Sequence, residues 1–299
     1  MSTQVQASRP NQSMTSSVVS QHAIQIRDLI YRVAGIFHAG TRIRFLEDRC
    51  ERRMQALGVS SMREYSEFLA LHPDRTRELH LLLNEITVSE TSFFRNQPQL
   101  DAFQRIVLPH LAAGKANQPL KHLRIWSAGC STGEEPYTLA MICLEEAANG
   151  ALRDCSFDVV ATDLNERSIA VAQQGSYSEY SVRNMTALYR NKYLVKEADA
   201  HRVHEVVRSR VRFTRANLLE DTPAHLVKGV DVIFCCNVLI YFDADSKRRM
   251  IQRFYNGLAP DSYLFLGHSE SLFGLSDDFR LVHFPGATGY MKPAQREAV

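Results

Sequence analysis

The chain has 299 residues, of which 45% are apolar and 23% charged, with a formal net charge of +2. These proportions match globular proteins and exclude a disordered, collagenous or fibrous chain. So small a charge leaves no electrostatic footprint for nucleic acid or an anionic membrane, and no apolar run approaches the roughly 20 residues needed to span a bilayer.

The first twenty residues, MSTQVQASRPNQSMTSSVVS, are rich in Ser and Gln and carry neither an apolar core nor a basic leader. A disordered tail over 1–20 is expected, with no signal peptide. The cysteines (50, 130, 143, 155, 235, 236) form no C-x-x-C pair, and several sit in apolar runs as small hydrophobes. A reducing, cytoplasmic compartment follows.

From 21 to 86 the pattern is helical. Ile26, Leu29, Ile30, Val33 and Phe37 recur at helical spacing. Gly40 breaks the run and Thr41 is placed to cap the next helix, where Ile43, Leu46, Cys50, Met54 and Leu57 form one apolar stripe. Ser61 to Leu71 and Asp74 to Ile86 read as two more helices. This is a small all-α domain.

A polar hinge (87–96) and a helix from Gln99 to Ala113 lead into alternating β and α segments over 87–299. Strands are expected at 122–128, 157–163, 211–218, 231–239 and 262–269, with helices at 135–148, 165–174 and 244–258. Such alternation implies a parallel doubly wound sheet. The segment FRLVHFPGATGYMKP reads as an edge hairpin turning at Pro285-Gly286. Residues 178–210 interrupt the alternation. They read as an insertion: a helix from Ser181 to Tyr189, then YLVKE and HEVVRS as a small antiparallel β-hairpin.

The first strand ends in Gly129-Cys-Ser-Thr-Gly133, and a helix follows at once. Glycines at a strand-to-helix turn let backbone N–H groups approach a ligand. The second strand ends in Asp163, where an acid can accept both hydroxyls of a ribose. A tight turn or a helix cap would explain either feature alone; together they favour a nucleoside-type ligand. Glu134 and Glu135 would repel a pyrophosphate and suit a cationic ligand, which speaks against NAD and for a sulfonium-bearing nucleoside. Gly267-His-Ser-Glu-Ser271 begins like a nucleophile elbow, but its fifth residue is Ser and no helical pattern follows. No phosphate-binding Walker motif is present, and no histidines fall at metal-ligand spacing, so no metal is expected.

In the second helix, Arg42, Arg49 and Arg53 lie within about 40° of one another at ~100° per residue, with Arg52 beside them. A solvated face would account for them. The sharper reading is a docking stripe, because arginine forks pair bidentately with carboxylates.

Ile125-Trp-Ser-Ala-Gly-Cys-Ser-Thr-Gly-Glu-Glu-Pro-Tyr137 resembles the cofactor motif of the chemotaxis receptor methyltransferases, the CheR family. The hinge TVSETSFFRN (87–96), FCCNVLIYF (234–242) and LFLGHSES (264–271) resemble three further family blocks, in matching order over about 20–292. The resemblance implies an α/β class I methyltransferase domain, Rossmann-like, with a mostly parallel sheet and an antiparallel edge hairpin. A small all-α domain precedes it, and a small antiparallel β-subdomain is inserted. The implied activity is methyl transfer from S-adenosylmethionine to glutamate side chains on the cytoplasmic helical domain of chemoreceptors, for sensory adaptation. Cofactor contacts then fall on Ser89, Thr91, Arg95, Glu135, Asp163, Asn217, Leu218, Cys236 and Asn237, and the transfer site on Arg95 and Tyr241. Ser89 stands where the family often has Asn, and Cys236 where Arg is common. The turn at 196–201 is short and lacks glycine, so tethering to a receptor tail pentapeptide is not expected. A cytoplasmic monomer, recruited to membrane receptor clusters, is the implied setting. Two alternatives stand beside it: the same fold methylating a receptor of another pathway, and a non-catalytic cofactor-binding scaffold.

Overall fold

The computed structural model describes residues 20–37, 40, 42–152, 154–220 and 227–294. The expected tail, apart from Ser20, lies outside the described residues, as does Thr41, the expected cap of the second helix.

The chain opens with α1 (Gln21–Ala34), α2 (Arg42–Leu57), α3 (Met62–Leu71) and α4 (Arg75–Ile86). The Ser20 side chain accepts from His22 N at the start of α1, and Gly35 stops the helix at φ 68°, a left-handed cap that glycine adopts without strain. Ile26, Ile30, Leu46, Cys50, Tyr65, Leu82 and Leu83 meet in one core. Each comes from the apolar stripe of its helix.

Next come α5 (Gln97–Ala102), a π-helical turn at Phe103–Val107, and α6 (Leu108–Gly114). The sequence suggests one regular helix here. Pro109, near the start of α6, has no N–H to give and would crowd the preceding turn; the wider turn accommodates it, with Leu108 N donating to Phe103 O. The remainder runs β1 (His122–Ala128), α7 (Glu134–Ala148), β2 (Ser156–Asp163), α8 (Glu166–Gln174), β3 (Ser176–Tyr177), α9 (Ala187–Tyr193), β4 (Leu194–Glu197), β5 (Ala200–Val203), α10 (Glu205–Arg208), β6 (Val211–Arg215), β7 (Val230–Cys235), α11 (Ala244–Gly257), β8 (Leu258–Leu266), β9 (Arg280–Phe284) and β10 (Ala287–Met291).

The large sheet has seven strands in the order β6-β2-β1-β7-β8-β10-β9. β6, β2, β1, β7 and β8 run parallel, and β10 runs antiparallel to both β8 and β9. The expected mostly parallel sheet with an antiparallel edge hairpin is therefore the fold. Side chains alternate across it. Leu123, Ile125, Val232 and Phe234 face one layer with Phe103, Leu108 and Leu139, while Trp126, Ile233 and Cys235 face Met250, Ile251 and Phe254 of α11. The strand order reverses between β1 and β7, and a cleft opens there outside the carboxyl ends of the strands.

The insertion departs from the sequence reading in detail. Ser181–Asn184 form turns, and the helix begins at Ala187 with Thr186 as its cap. β4 turns through Ala198 and Asp199 directly into β5, and HEVVRS forms the short α10 instead of a strand. β3 adds a third strand beside β5. His201 hides this from the sequence: it is a polar residue on a buried position, satisfied by Glu179 at 2.7 Å.

Polar bonds seat the helical unit on the sheet. Asn165 Nδ2 donates to Asn84 O (3.1 Å) and Thr87 Oγ1 (2.8 Å), and Glu166 N donates to Asn84 Oδ1 (3.1 Å). Asn217 Nδ2 reaches Val33 O (2.7 Å), and Tyr31 OH donates to Asp243 Oδ2 (2.8 Å). Phe37 N donates to Tyr241 O (3.0 Å), beside an isolated bridge between Ile36 and Phe242.

Candidate active site

The loop after β1 is built around two glycines that nothing else can replace. Gly129 sits at φ 83°, and a Cβ there would fall 2.4 Å from Val238 Cγ2. Gly133 sits at φ 96°, where a Cβ would fall 2.7 Å from Ala172 Cβ and 2.9 Å from Tyr177 Oη. Between them Ser131, at φ 50°, turns its N–H onto Asp163 Oδ2 (2.7 Å). Asp163 Oδ1 accepts from Asn165 N (2.8 Å). Burial raises the Asp163 carboxyl above the usual carboxylate range, and these N–H groups pull against that rise. The carboxylate still keeps acceptor capacity for a ligand hydroxyl.

The two acids at the head of α7 part company. Glu134 is buried, accepts from Thr132 OH (2.6 Å) and is not among the cavity-lining residues. Only Glu135 faces the cleft, which corrects the expectation that both carboxylates meet a ligand. Ser127 OH donates to Glu135 Oε1 at 2.7 Å. Burial pushes the Glu135 carboxyl up to about 7, against the lowering effect of Ser127, Cys236 and Arg95.

A cavity of about 260 Å³ joins these features. Ser89, Thr91, Arg95, Glu135, Asp163, Asn217, Leu218, Cys236, Asn237 and Tyr241 all line it. The sequence reading did not include its apolar walls, Ile36, Ile86, Leu164 and Val238, nor Glu90. Glu90, Leu164 and Val238 neighbour predicted site residues in the sequence, whereas Ile36 and Ile86 come from the helical unit and carry no such signal. Several of the polar residues also have structural duties. Ser89 Oγ meets Ser168 Oγ (2.8 Å), Arg95 Nη1 donates to Glu90 O (2.8 Å), and Cys236 Sγ donates to Gln99 Oε1 (3.6 Å). The Asn217 amide holds Val33 O and accepts from Leu219 N (3.1 Å).

Tyr241 stands half-buried between two cations. Burial raises its phenol, while Arg42 and Arg95 oppose the rise. The Arg42 guanidinium lies 5.6 Å from the Tyr241 ring centroid and donates to Ile240 O (3.3 Å). The arginine stripe of α2 therefore divides. Arg49 packs over the Phe45 ring at 4.4 Å, and Arg52 is exposed. Arg53 is buried and forked onto Glu78, with Nε to Oε1 at 2.9 Å and Nη2 to Oε2 at 2.7 Å. Tyr65 OH joins the same carboxylate at 2.8 Å. The assignment of Arg53 to a docking surface is thus corrected: its charge is spent inside the helical unit. Among the described residues, no group of three His, Cys, Asp or Glu is arranged to hold a metal ion. No helix among them is long and apolar enough to cross a membrane.

Residues 22–87 match the family profile described as CheR methyltransferase, all-alpha domain, and residues 89–287 match CheR methyltransferase, SAM binding domain. The chain is 36% identical over 270 residues to chemotaxis protein methyltransferase 2 of Vibrio cholerae, spanning 90% of this chain and 92% of that protein. A chemotaxis protein methyltransferase of Borreliella burgdorferi is 30% identical over 263 residues, spanning 88% and 92%. Chemotaxis protein methyltransferase 1 of Pseudomonas aeruginosa is 34% identical over 259 residues, spanning 86% and 92%.

Proposed function

The chain belongs to the CheR family of S-adenosylmethionine-dependent methyltransferases, and from that premise we propose that it methylates glutamate side chains of chemoreceptors, giving glutamate methyl esters for sensory adaptation. One observation carries the reading: a single cavity joins a desolvated carboxylate, Glu135, to a mouth formed by Arg95 and Tyr241. The deep end suits a cationic nucleoside and the mouth suits an anionic side chain.

S-adenosylmethionine fits this wall. Asp163 at the end of β2 is placed for the ribose, Leu218 and Ile86 offer an apolar surface for the base, and Glu135 awaits a cation. Thr91, Cys236 and Asn237 complete the holding set, while Ser89 and Asn217 act chiefly through the bonds that hold the wall. When bound, S-adenosylmethionine supplies the electrophilic methyl group.

The receptor glutamate needs no general base, since a carboxyl with a reference pKa of about 4.3 is already ionised at neutral pH. The protein's work is orientation and exclusion of water. Arg95 draws the incoming carboxylate to the mouth, and the Tyr241 hydroxyl fixes its direction. Aromatic and apolar walls favour the reaction, because the opposed charges disappear as the ester forms.

Arg42, Arg49 and Arg52 on α2 present the cations that would meet an acidic receptor helix. The turn at Ala198–Asp199 is two residues long, which supports docking without tail-peptide tethering. A monomer acting in the cytoplasm and recruited to receptor clusters completes the proposal. To test it, the protein is incubated with methyl-labelled S-adenosylmethionine and a chemoreceptor cytoplasmic fragment, and alkali-labile label is counted as methanol. Label released by alkali supports glutamate esters; bound cofactor with no label transferred rejects the receptor as substrate.

A further inference from the structure

The segment 267–271, which begins like a nucleophile elbow, has a different occupation. Ser269 is exposed, whereas Glu270 is turned inward against the end of β7. Glu270 Oε2 accepts from Asn237 N (2.8 Å) and from Gly267 N (2.7 Å), and Oε1 accepts from Ile240 N (3.3 Å). One carboxylate thus ties together three backbone donors from two separate loops.

The tie is needed where it falls. Asn237 stands at φ 62°, in the left-handed region that asparagine enters more readily than other side chains but that only glycine adopts freely, so its surroundings have to hold it there. Beyond it, Ile240 and Tyr241 lie in a short 3₁₀ turn, Leu239–Tyr241, whose Ile240 N–H is one of the three donors. Gly267 permits the approach: a Cβ there would fall 2.6 Å from Glu270 Oε2 and 2.8 Å from Asn237 N. The 237–241 segment supplies a run of cavity wall, Asn237, Val238, Ile240 and Tyr241 among it. Glu270 itself is not part of that wall.

We infer that Glu270 is a positioning residue of the site: its carboxylate clamps the 237–240 segment in the shape that presents Asn237 to the bound nucleoside and Tyr241 to the mouth. The inference rests on the cavity being the S-adenosylmethionine site. A carboxylate is the fitting group for the task, because only an acceptor with two oxygens serves three donors without offering a hydrogen of its own. Glutamine keeps one oxygen but turns an NH₂ toward a donor. Alanine leaves all three N–H groups to find other partners.

The experiment is calorimetric titration with S-adenosylhomocysteine of the full-length protein, its Glu270→Gln and Glu270→Ala variants, and the same set combined with Asn237→Gly. Thermal unfolding is recorded in parallel, and binding by the wild type establishes the site reading independently. Glu270→Ala is expected to weaken binding by about tenfold or more and Glu270→Gln by less. In the Asn237→Gly background the loss from Glu270→Ala shrinks to about threefold or less, since glycine takes the left-handed shape without a clamp. A general loss of stability would instead lower the melting temperature and cost the same affinity in both backgrounds. Wild-type affinity in Glu270→Ala, or an equal loss in both backgrounds, overturns the inference. If wild type itself does not bind, the site reading fails and the inference falls with it.

Discussion

In the proposed site, the ionisation of Glu135 sets the affinity for a cationic ligand. In the free protein burial holds its carboxyl at about 7, with Arg95 and Cys236 lowering it and Glu270 raising it. A cationic ligand group opposite it favours the ionised form, so the carboxyl titrates lower in the complex than in the free protein. Affinity therefore rises with pH up to about 7 and then levels off. Below that point it falls by up to about tenfold per pH unit until the lower pKa of the complex is reached. Titrations with S-adenosylmethionine across neutral pH check this, and Glu135→Gln is expected to bind more weakly at a strength independent of pH in that range. At the mouth, Arg95→Ala is expected to lower kcat by about 100-fold and Tyr241→Phe by about tenfold, read in the receptor methylation assay. Equal, near-wild-type rates would remove both from the transfer site. Asp163 is legible only in combination: an acid closing a strand also serves as a helix cap, and the glycine turn beside it is what favours a ligand. Sequence spacing does not separate Glu134 from Glu135, because neighbours on a helix point about 100° apart and only the tertiary fold says which arc meets the cleft.

α2 carries the lesson to the scale of elements. Its arginine arc is visible on a helical wheel, yet the wheel does not report what lies opposite. Glu78, the partner of Arg53, is 25 residues away on α4. Removing one member of such a buried pair costs about 3–5 kcal/mol. Arg53→Ala is therefore expected to melt the helical unit early in a thermal scan, with Glu78→Gln doing the same. The Arg49→Glu, Arg52→Glu double variant is expected to lower receptor methylation and spare cofactor binding. Loss of cofactor binding in that double variant would refute a docking role. The central strands β1, β2, β7 and β8 are legible because most of their residues are buried, which makes them near-continuous apolar runs. The insertion is less so, because its inward His201 is hydrogen-bonded by Glu179 from outside the hairpin. The π-helical turn escapes a 3.6-residue pattern for a similar reason: its cause, Pro109, lies beyond the turn itself.

At the scale of the whole molecule, the helical unit is part of the cavity. Ala34, Ile36 and Ile86 form wall on that side, and Asn165 ties Asn84 and Thr87 to the start of α8. Asn165 also caps α8, accepting from Ser168 N at 3.0 Å. Asn165→Ala removes all three bonds and is expected to cost about 1–3 kcal/mol, seen as a lower melting temperature together with weaker cofactor binding. An unchanged cofactor affinity in that variant would mean that the two halves are joined but not interdependent.

The two halves match separate family profiles that meet between residues 87 and 89. Residues 86 to 91 all line the cavity, as does Arg95. The junction between the modules is thus itself part of the cavity wall. Exchanging one module between relatives at that seam would splice together two half-pockets shaped in different lineages. A hybrid assembled that way is expected to carry a mismatch in that wall, read as weaker S-adenosylmethionine binding than either parent shows.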